Sequence, residues 1–313
     1  MPKAEELYEK LRLDFIKSKR DAESLADINR IKELIEDRDI LEKDQEVDVL
    51  EQKIALESRL LSIKEVMKIK PKPIEWVVEN WIPDKSQILL VGKGGSYKSY
   101  MSQYLAYCLV TGNEFLGIKV KKMKKILILD MENSKEIFNE RFNFFQKGYK
   151  SKHMIENIDF LMPEQINLNN DEDYEQFKDL IIRNGYDVLI IDTLVRVAGI
   201  DENKAEQVSN FYLNRLKPLL KTTNLKNLVI IHHLSKAMRE DTDMMDLVRG
   251  SGDWVNQCDT VIGLRANMRV PNKFYIFQLK MRRRARQKPL SVQIKADNPQ
   301  TYVKFDVLEE DVA

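Results

Sequence analysis

The chain has 313 residues, enough for a large α/β domain with an accessory segment, and its composition is typical of a soluble globular protein. Its net charge of +1 excludes attraction of nucleic acid by overall charge, so any such binding has to come from local patches. Cys108 and Cys258 lie in apolar stretches, which favours free thiols in a reducing compartment over a disulfide. The charged amino terminus and the lack of a long apolar run predict a soluble, cytoplasmic protein without a signal peptide or membrane span.

Residues 1–70 are predicted to form a helical segment. Residues 3–70 contain neither Gly nor Pro, 33 of the first 70 residues are charged, and apolar residues such as Leu7, Leu11 and Phe15 recur at helical spacing. Two interpretations remain open: solvated helices with a narrow apolar seam, or an arm for oligomerisation or for docking a replication partner. Pro71 and Pro73 then predict an extended linker, and hence a domain boundary between 1–70 and 71–313.

After the prolines, strands are predicted to alternate with helices. The predicted strands are 87–92, 125–130, 158–162, 187–192 and 228–232; the predicted helices are 98–111, 136–147, 174–183 and 205–221. The strands are continuous apolar runs, which is typical of strands buried on both faces of a largely parallel sheet. From Val261 onward the pattern is rich in strands, with a turn at Pro271-Asn272, and predicts an antiparallel extension of that sheet. The fold class is therefore α/β.

A glycine-rich loop follows the first apolar strand and precedes a helix. Residues 92–99 read G-K-G-G-S-Y-K-S, close to the phosphate-binding pattern G-x-x-x-x-G-K-[ST]. Backbone N–H groups of such a loop surround a polyphosphate, the lysine reaches the β- and γ-phosphates, and the hydroxyl binds Mg²⁺. This predicts that Lys98 contacts phosphate and Ser99 binds the metal. The predicted ATP-binding residues are Gly92, Lys93, Gly94, Gly95, Ser96, Tyr97, Lys98, Ser99 and Tyr100.

Tyr97 stands where the pattern has its last glycine. If that position requires a positive φ, a residue other than glycine costs on the order of 1–2 kcal/mol there. Two alternatives to a working loop are a coincidental glycine-rich turn and a loop that binds nucleotide weakly. The agreement of the strand, the Lys-Ser pair and a downstream acidic strand favours a working loop.

Acidic residues end two of the predicted strands. Asp192 closes the apolar run 187–192, at the rim where parallel sheets bind ligands, and is predicted to be the magnesium-side acid. Glu132 follows the strand that ends at Asp130 and could polarise the attacking water. Asp130 could instead be a group that supports the site from behind. The alternative for Glu132 is a charge that favours the dipole of a helix capped by Asn133 or Ser134.

Two adjacent histidines close the strand 228–232. His232 is predicted to sense the γ-phosphate beside Asp192 by hydrogen bonding, and the alternative is a structural histidine bonded to backbone. His153 lies in a stretch that looks like surface and is assigned no function.

The chain has two basic runs. Residues 280–288 carry six positive charges, and three interpretations compete: an arginine finger supplied to another subunit, contact with nucleic-acid phosphates, or a solvated turn. The run 119–125 precedes a strand and is interpreted as solvated surface.

Taken together, these motifs resemble RecA-like P-loop ATPases of the RepA and DnaB hexameric replicative helicase type, over roughly residues 71–288. The matching segments are 73–76 with 81–83, 129–133, 191–194, 232–233, 249–252 with Asp259, and 280–282. The resemblance implies a RecA-like core, ATP and Mg²⁺ as ligands, single-stranded DNA as a partner and a homo-oligomer, typically a hexamer. It also implies that Lys280 and Arg282 reach the γ-phosphate held by the neighbouring subunit. The sequence departs from that family at Tyr97 and shows no recognisable primase-binding or zinc-binding domain.

Three functions follow as hypotheses. The first is a ring-forming motor that hydrolyses ATP, translocates on single-stranded DNA and separates duplex strands. The second is a RecA-like loader or recombination mediator that hydrolyses ATP without unwinding, and the third is a helical interaction protein with a vestigial site. DNA binding rests mainly on the resemblance, with Lys236, Arg239 and Arg249 as candidate contacts and no aromatic residue marking a base-stacking platform.

Overall fold

The computed structural model describes residues 59–123, 125–150, 155–234, 244–245, 248, 252–296 and 303–309. The chain divides into two units, Met1–Pro73 and Ile74–Ala313. The helices predicted within 1–58, His153, and the candidates Lys236, Arg239 and Arg249 lie outside the described residues. The boundary at 70/71 therefore stays a prediction.

The described part of the first unit contains one short helix, α1, at Ile63–Val66. Ser62 and Glu65 form a reciprocal capping box at its start: the Ser62 side chain accepts from the Glu65 N–H, and the Glu65 carboxylate accepts from the Ser62 N–H. The stretch 70–73, which contains both prolines, has no regular secondary structure, as the predicted linker requires.

The second unit contains a two-stranded hairpin and, across the described residues, a nine-stranded sheet. The hairpin strands are β1 Trp76–Val78 and β2 Ile82–Pro83. The strands of the large sheet are β3 Gln87–Gly92, β4 Ile126–Asp130, β5 Ile158–Leu161, β6 Val188–Asp192, β7 Asn227–His233, β8 Thr260–Ala266, β9 Lys273–Met281, β10 Leu290–Ala296 and β11 Val303–Leu308.

Helices connect most of these strands. They are α2 Lys98–Thr111, α3 Lys135–Gly148, α4 Asp171–Asn184, α5 Leu194–Ala198, α6 Ala205–Phe211, α7 Lys217–Thr222 and α8 Asp253–Gln257, with a π-helical turn, Tyr212–Leu216, joining α6 to α7. Local sequence explains several ends. Asn170 caps α4 by accepting from two backbone N–H groups, and Gly185 ends that helix in the left-handed conformation. Among the described residues, no helix is both long and apolar enough to cross a membrane.

The sheet order is β11-β10-β9-β8-β3-β7-β6-β4-β5. Strands β3 to β8 pair in parallel, so β3, β4, β6 and β7 present their carboxyl ends at one edge. Strands β9, β10 and β11 are antiparallel, as predicted for the carboxyl-terminal region. Strand β8 differs from that prediction, because it pairs in parallel with β3. The reason is that a connection containing α8 precedes β8, and a crossover allows parallel pairing.

Both faces of the parallel strands are buried. On β3, Ile88 and Leu90 pack against α2 and α3, whereas Leu89 and Val91 pack against the layer formed by α4 to α8. This burial explains why the strands are continuous apolar runs. The result is a three-layer α/β arrangement, which confirms the fold class expected from the sequence.

Candidate functional site

The loop between β3 and α2 has the geometry of a phosphate-binding loop. A Cβ atom at Gly92 would lie 2.2 Å from the Ser96 Oγ and 2.7 Å from the Leu264 carbonyl oxygen, so only glycine fits there. Gly95 has a φ of +75°, which glycine adopts without strain. The loop leads directly into α2, whose first residue is Lys98.

Tyr97 adopts the strained conformation that the sequence pattern suggested. Its φ is 68° and its ψ is 16°, a left-handed geometry that costs about 1–2 kcal/mol for a residue with a side chain. Its ring packs against Phe274 of β9, with 5.1 Å between ring centroids. This aromatic contact offsets part of the strain and ties the loop to the antiparallel end of the sheet.

Lys98 lies inside the loop. Its Nζ donates to the carbonyl oxygens of Gly92 and Lys93, each at 2.8 Å. Burial lowers the pKa of Lys98 to about 8, while the negative charges of Asp192 and Glu132 act in the opposite direction. The ammonium group is therefore held by the backbone of the phosphate-binding loop and lines the same cleft.

Asp192 lies at the end of β6, beside Lys98 and Ser99. Burial raises its pKa to about 7; the Ser99 hydroxyl and the Lys98 charge oppose that rise, and Asp130 and Glu132 add to it. Both carboxylate oxygens are buried, and within the described residues no hydrogen bond of standard geometry reaches either of them. A buried acceptor pair beside a hydroxyl fits a divalent cation, because Mg²⁺ takes one or two protein oxygens together with phosphate and water. Among the described residues there is no group of three or more His, Cys, Asp or Glu side chains that could hold a metal ion.

Asp130, at the end of β4, shapes the turn that carries Glu132. One of its carboxylate oxygens accepts from the backbone N–H groups of Glu132 and Asn133, at 2.8 and 2.7 Å, and the other accepts from the Asn133 side chain at 2.8 Å. Ser134 is the N-cap residue of α3 but makes no capping hydrogen bond with its side chain. The Asp130 carboxylate thus holds the backbone of the turn that carries Glu132.

The Glu132 carboxylate lies between three strand ends. Its Oε1 accepts from the Thr193 hydroxyl at 3.3 Å and from the Arg196 Nε at 3.3 Å, and lies 3.9 Å from the His233 Nε2. These contacts place the acid beside Asp192 and facing the phosphate loop. The arrangement favours the water-polarising interpretation over the dipole interpretation, because the contacts of the side chain are made to other loops.

Of the two adjacent histidines, the structure places His233 in the cleft and His232 elsewhere. Successive side chains of a strand point to opposite faces, so only one of the pair can face the phosphate loop. His232 is buried on the other face, 4.0 Å from a Glu202 oxygen and 6.0 Å from the Trp254 ring. The prediction for His232 was therefore wrong in position by one residue, and His233 lies where the phosphate-sensing group was expected.

These side chains line one cleft of about 490 Å³. The residues of the loop and the start of α2 that line the cleft are Gly94, Gly95, Ser96, Tyr97, Lys98, Ser99 and Tyr100. The other lining residues are Glu132, Arg141, Asp192, His233, Asn272, Ile294 and Val303. Gly92 and Lys93 contribute through the carbonyl oxygens that hold Lys98.

Arg141 is a cationic residue that the sequence analysis missed. It lies on α3, donates to the Gln103 side chain at 3.2 Å and covers the Tyr100 ring at 5.2 Å. Burial lowers its pKa, and the negative charges of Asp130 and Asp192 oppose this. No local motif marks it; only packing of α3 beside α2 brings it to the cleft.

Lys280 and Arg282 lie at the end of the sheet where the parallel strands begin, whereas the cleft lies at the end where those strands finish. Met281 pairs with Thr260, which pairs with Ile88 near the start of β3, whereas the phosphate loop begins at the other end of β3. Four residues of strand, roughly 13 Å, separate those two levels. The two basic side chains therefore do not contact the cleft of their own chain.

At that end of the sheet both cations have local partners. The Lys280 Nζ donates to the carbonyl oxygens of Val255 and Asn256, at 2.7 and 3.1 Å, near the end of α8. Arg282 pairs with Asp259 at 3.0 Å, and its side chain remains 54% exposed. The Arg282 ion pair is thus a surface pair.

Comparison with known families agrees with this geometry. The profile of the AAA domain family AAA_25 matches residues 52–239, more than half of the chain, including the phosphate loop, Glu132, Asp192 and both histidines of β7. The chain belongs to this AAA domain family. A search of curated proteins found no match.

Solved structures show what fold this AAA domain has. An ATPase domain of known structure superposes with a TM-score of 0.55 at 14% identity, covering 82% of this chain and 98% of that one. A DnaB-like replicative helicase, solved in a study of its interactions with primase, superposes with a TM-score of 0.54 at 14% identity, covering 88% and 74%. The RadB recombinase superposes with a TM-score of 0.47 at 14% identity, covering 68% of this chain and 88% of that one. The first two superpositions show that this AAA domain has a RecA-like P-loop ATPase fold that resembles the DnaB-like type.

Proposed function

We propose that this protein is a ring-forming ATPase that moves on single-stranded DNA and acts as a replicative-type DNA helicase. The observation that carries the proposal is the placement of Lys280 and Arg282 at the edge of the sheet opposite the phosphate loop. Basic side chains that cannot reach the nucleotide of their own chain can serve a nucleotide only when a second copy brings its cleft to them. The likeness to a DnaB-like helicase supports the same conclusion at the level of the fold.

Within one cleft, the loop and Lys98 hold the phosphates of ATP. The backbone N–H groups of residues 94–99 point at the phosphate oxygens, as at other helix starts that bind anions. Lys98 exchanges the carbonyl oxygens of Gly92 and Lys93 for the β- and γ-phosphates. Because burial lowers the pKa of this ammonium, a bound phosphate stabilises its charged form.

Ser99 and Asp192 would hold Mg²⁺, and the buried carboxylate oxygens of Asp192, which no hydrogen bond of standard geometry reaches within the described part of the chain, support this assignment. When bound, the ion neutralises negative charge on the β- and γ-phosphate oxygens. Asp192 is ionised when it binds the cation, so the metal and Lys98 together oppose the effect of burial on its charge.

Glu132 is the general base that accepts a proton from the attacking water. His233 lies close to the same carboxylate and contacts the γ-phosphate from the neighbouring strand. The two groups are held by separate strand ends, so the phosphate and the water are positioned by one rigid edge of the sheet.

Arg282 supplies positive charge to the ATP bound by the next subunit. The Arg282 side chain is 54% exposed, so exchanging the Asp259 carboxylate and the Asn256 carbonyl oxygen for a phosphate costs little. Lys280, whose Nζ here donates to backbone carbonyl oxygens of α8, is the second cation of this trans-acting pair. A cyclic arrangement, with six subunits as in the family that the sequence resembles, closes this chain of contacts.

Single-stranded DNA is proposed as the track by analogy with the helicases of similar fold. Lys236, Arg239 and Arg249 stay the candidate contacts, and the segment 1–70 stays the candidate for docking a replication partner. A loader that hydrolyses ATP without unwinding has the same cleft, and the assays below separate it from a helicase.

The test is subunit mixing. Arg282→Ala should assemble and bind ATP but hydrolyse it about 10³-fold more slowly. Lys98→Ala should also be inactive, yet mixing the two variants should restore part of the ATPase activity, because each spoils a different half of a shared site. Arg183→Ala, an exposed arginine on α4, is the matched control and should hydrolyse ATP normally.

Normal hydrolysis by Arg282→Ala, with no recovery in any mixture, would remove the shared site and the ring. Native mass spectrometry then measures the subunit number. Strand displacement together with DNA-stimulated hydrolysis supports the helicase, whereas stimulated hydrolysis without displacement identifies the loader or mediator.

A further inference from the structure

The Glu132 carboxylate is held on one side only. The hydrogen bonds that the side chain accepts within the described residues all reach Oε1, from the Thr193 hydroxyl and the Arg196 Nε, and the His233 Nε2 lies 3.9 Å from the same atom. No hydrogen bond among the described residues reaches Oε2. Because each carboxylate oxygen is an acceptor in its own right, this pattern leaves Oε2 available to a water molecule.

Arg196 is the charged member of this group. It lies on α5, the short helix that follows Asp192 and Thr193, and its Nε is 3.3 Å from Oε1. Thr193 is neutral and buried, and it belongs to the turn that follows the metal-side acid. Arg196 therefore provides the one full positive charge, among the described residues, that contacts Oε1 at hydrogen-bond distance.

We propose that Arg196 is a positioning residue for Glu132: it fixes Oε1 so that Oε2 presents its lone pairs to the attacking water. This rests on the proposed function, because it takes Glu132 as the general base. A planar N–H donor restricts both the torsion and the tilt of the carboxylate, whereas a long acidic side chain without such a contact samples several rotamers. The benefit is geometric, since a misplaced base loses rate steeply with distance.

If Arg196 had a purely structural role, loss of its ion pair with Glu132 would lower the stability of the folded protein. The Arg196 side chain is 58% exposed and that of Glu132 is 32% exposed, and ion pairs of this kind contribute little to folding stability. Loss of the pair should therefore leave the midpoint of thermal unfolding almost unchanged. A large effect on turnover without an effect on stability would separate positioning from support of the fold.

The experiment is a double-mutant cycle in the full chain, with steady-state hydrolysis, nucleotide binding and the midpoint of thermal unfolding as readouts. Arg196→Ala should lower kcat about 10-fold with an unchanged KM for ATP, and Arg196→Lys should recover part of the loss. Glu132→Gln should lower kcat by about 10²-fold. The double variant should be no slower than Glu132→Gln alone, because Arg196 acts only through that carboxylate. Arg183→Ala again serves as the control.

The possible failures are distinguishable. If Arg196→Ala turns over at the wild-type rate or faster while Glu132→Gln stays slow, the positioning role is overturned and the proposed base survives. If the fold-reductions in kcat of the two substitutions multiply in the double variant, Arg196 acts independently of Glu132 and the inference is again overturned. If Glu132→Gln hydrolyses ATP normally, the base itself was wrongly assigned.

Discussion

Replacing Tyr97 tests whether the left-handed residue in the phosphate loop is strained and what offsets the strain. Tyr97→Ala loses the ring contact with Phe274 but keeps the backbone geometry, so its free energy of unfolding should fall by about 2 kcal/mol. Tyr97→Gly loses the same contact but relieves about 1–2 kcal/mol of strain. The greater conformational freedom of glycine in the unfolded chain lowers the free energy of unfolding by about 0.4–1 kcal/mol and so cancels part of that gain. The glycine variant should therefore be more stable than the alanine variant by about 0–1.6 kcal/mol, with a central value near 0.8 kcal/mol.

Urea denaturation followed by circular dichroism measures these differences, and ATP binding measured by calorimetry reports the state of the loop. We expect Tyr97→Gly to bind ATP at least as well as the wild type, since the loop then has the usual glycine. Tyr97→Phe is the matched control, because it keeps the ring and the strain and should resemble the wild type.

Two results would refute this reasoning. If the alanine variant is more stable than the glycine variant by about 0.4–1 kcal/mol, the residue at this position is not strained, because only the freedom of glycine in the unfolded chain then separates the two. If the glycine variant loses ATP binding, the tyrosine ring itself holds the loop in its binding conformation.

The remaining predictions concern the cleft. Lys98→Ala should abolish hydrolysis, because the phosphates lose the cation that this loop supplies, and near-normal turnover would remove the ATPase assignment. His233→Ala should lower kcat at least 10-fold, while His232→Ala should chiefly lower the midpoint of thermal unfolding; the opposite pattern would reinstate His232 as the phosphate sensor. Burial raises the pKa of Asp192 from 3.8 to about 7, so the folded state holds this proton more tightly than the unfolded state, and stability is lost as pH rises through that interval. Relative to the wild type, Asp192→Asn without nucleotide should therefore gain up to about 4 kcal/mol between pH 4 and pH 7, and a pH-independent difference in thermal denaturation would contradict this.

Much of the core could be predicted because its signals are local. The boundaries of β3 and α2 match the predicted 87–92 and 98–111, since an apolar run, a glycine-rich turn and a helical stretch adjoin each other there. The same holds for the end of β6 at Asp192, where a buried strand meets a charged residue at the rim of the sheet. Such features depend on backbone geometry and burial, which neighbouring residues determine.

Features that depend on which face a side chain occupies required the tertiary structure. His232 and His233 are equivalent in a linear motif, and only the pairing of β7 with β3 decides which of them faces the phosphate loop. Arg141 reaches the cleft because α3 packs beside α2, and Arg196 reaches Glu132 because β4 and β6 are neighbours in the sheet although 64 residues separate the two side chains.

The same distinction applies to the fold and to the proposed assembly. The sequence by itself determined that this is a P-loop protein, because the glycine-rich loop is a local pattern. It also determined that the sheet is largely parallel, because each strand carries its own burial pattern. Only the three-dimensional arrangement decided that β8 is parallel, and that Arg282 lies at the far edge of the sheet from the phosphate loop. The physical reason is that strand order and direction are set by contacts between segments distant in sequence, which no local pattern encodes.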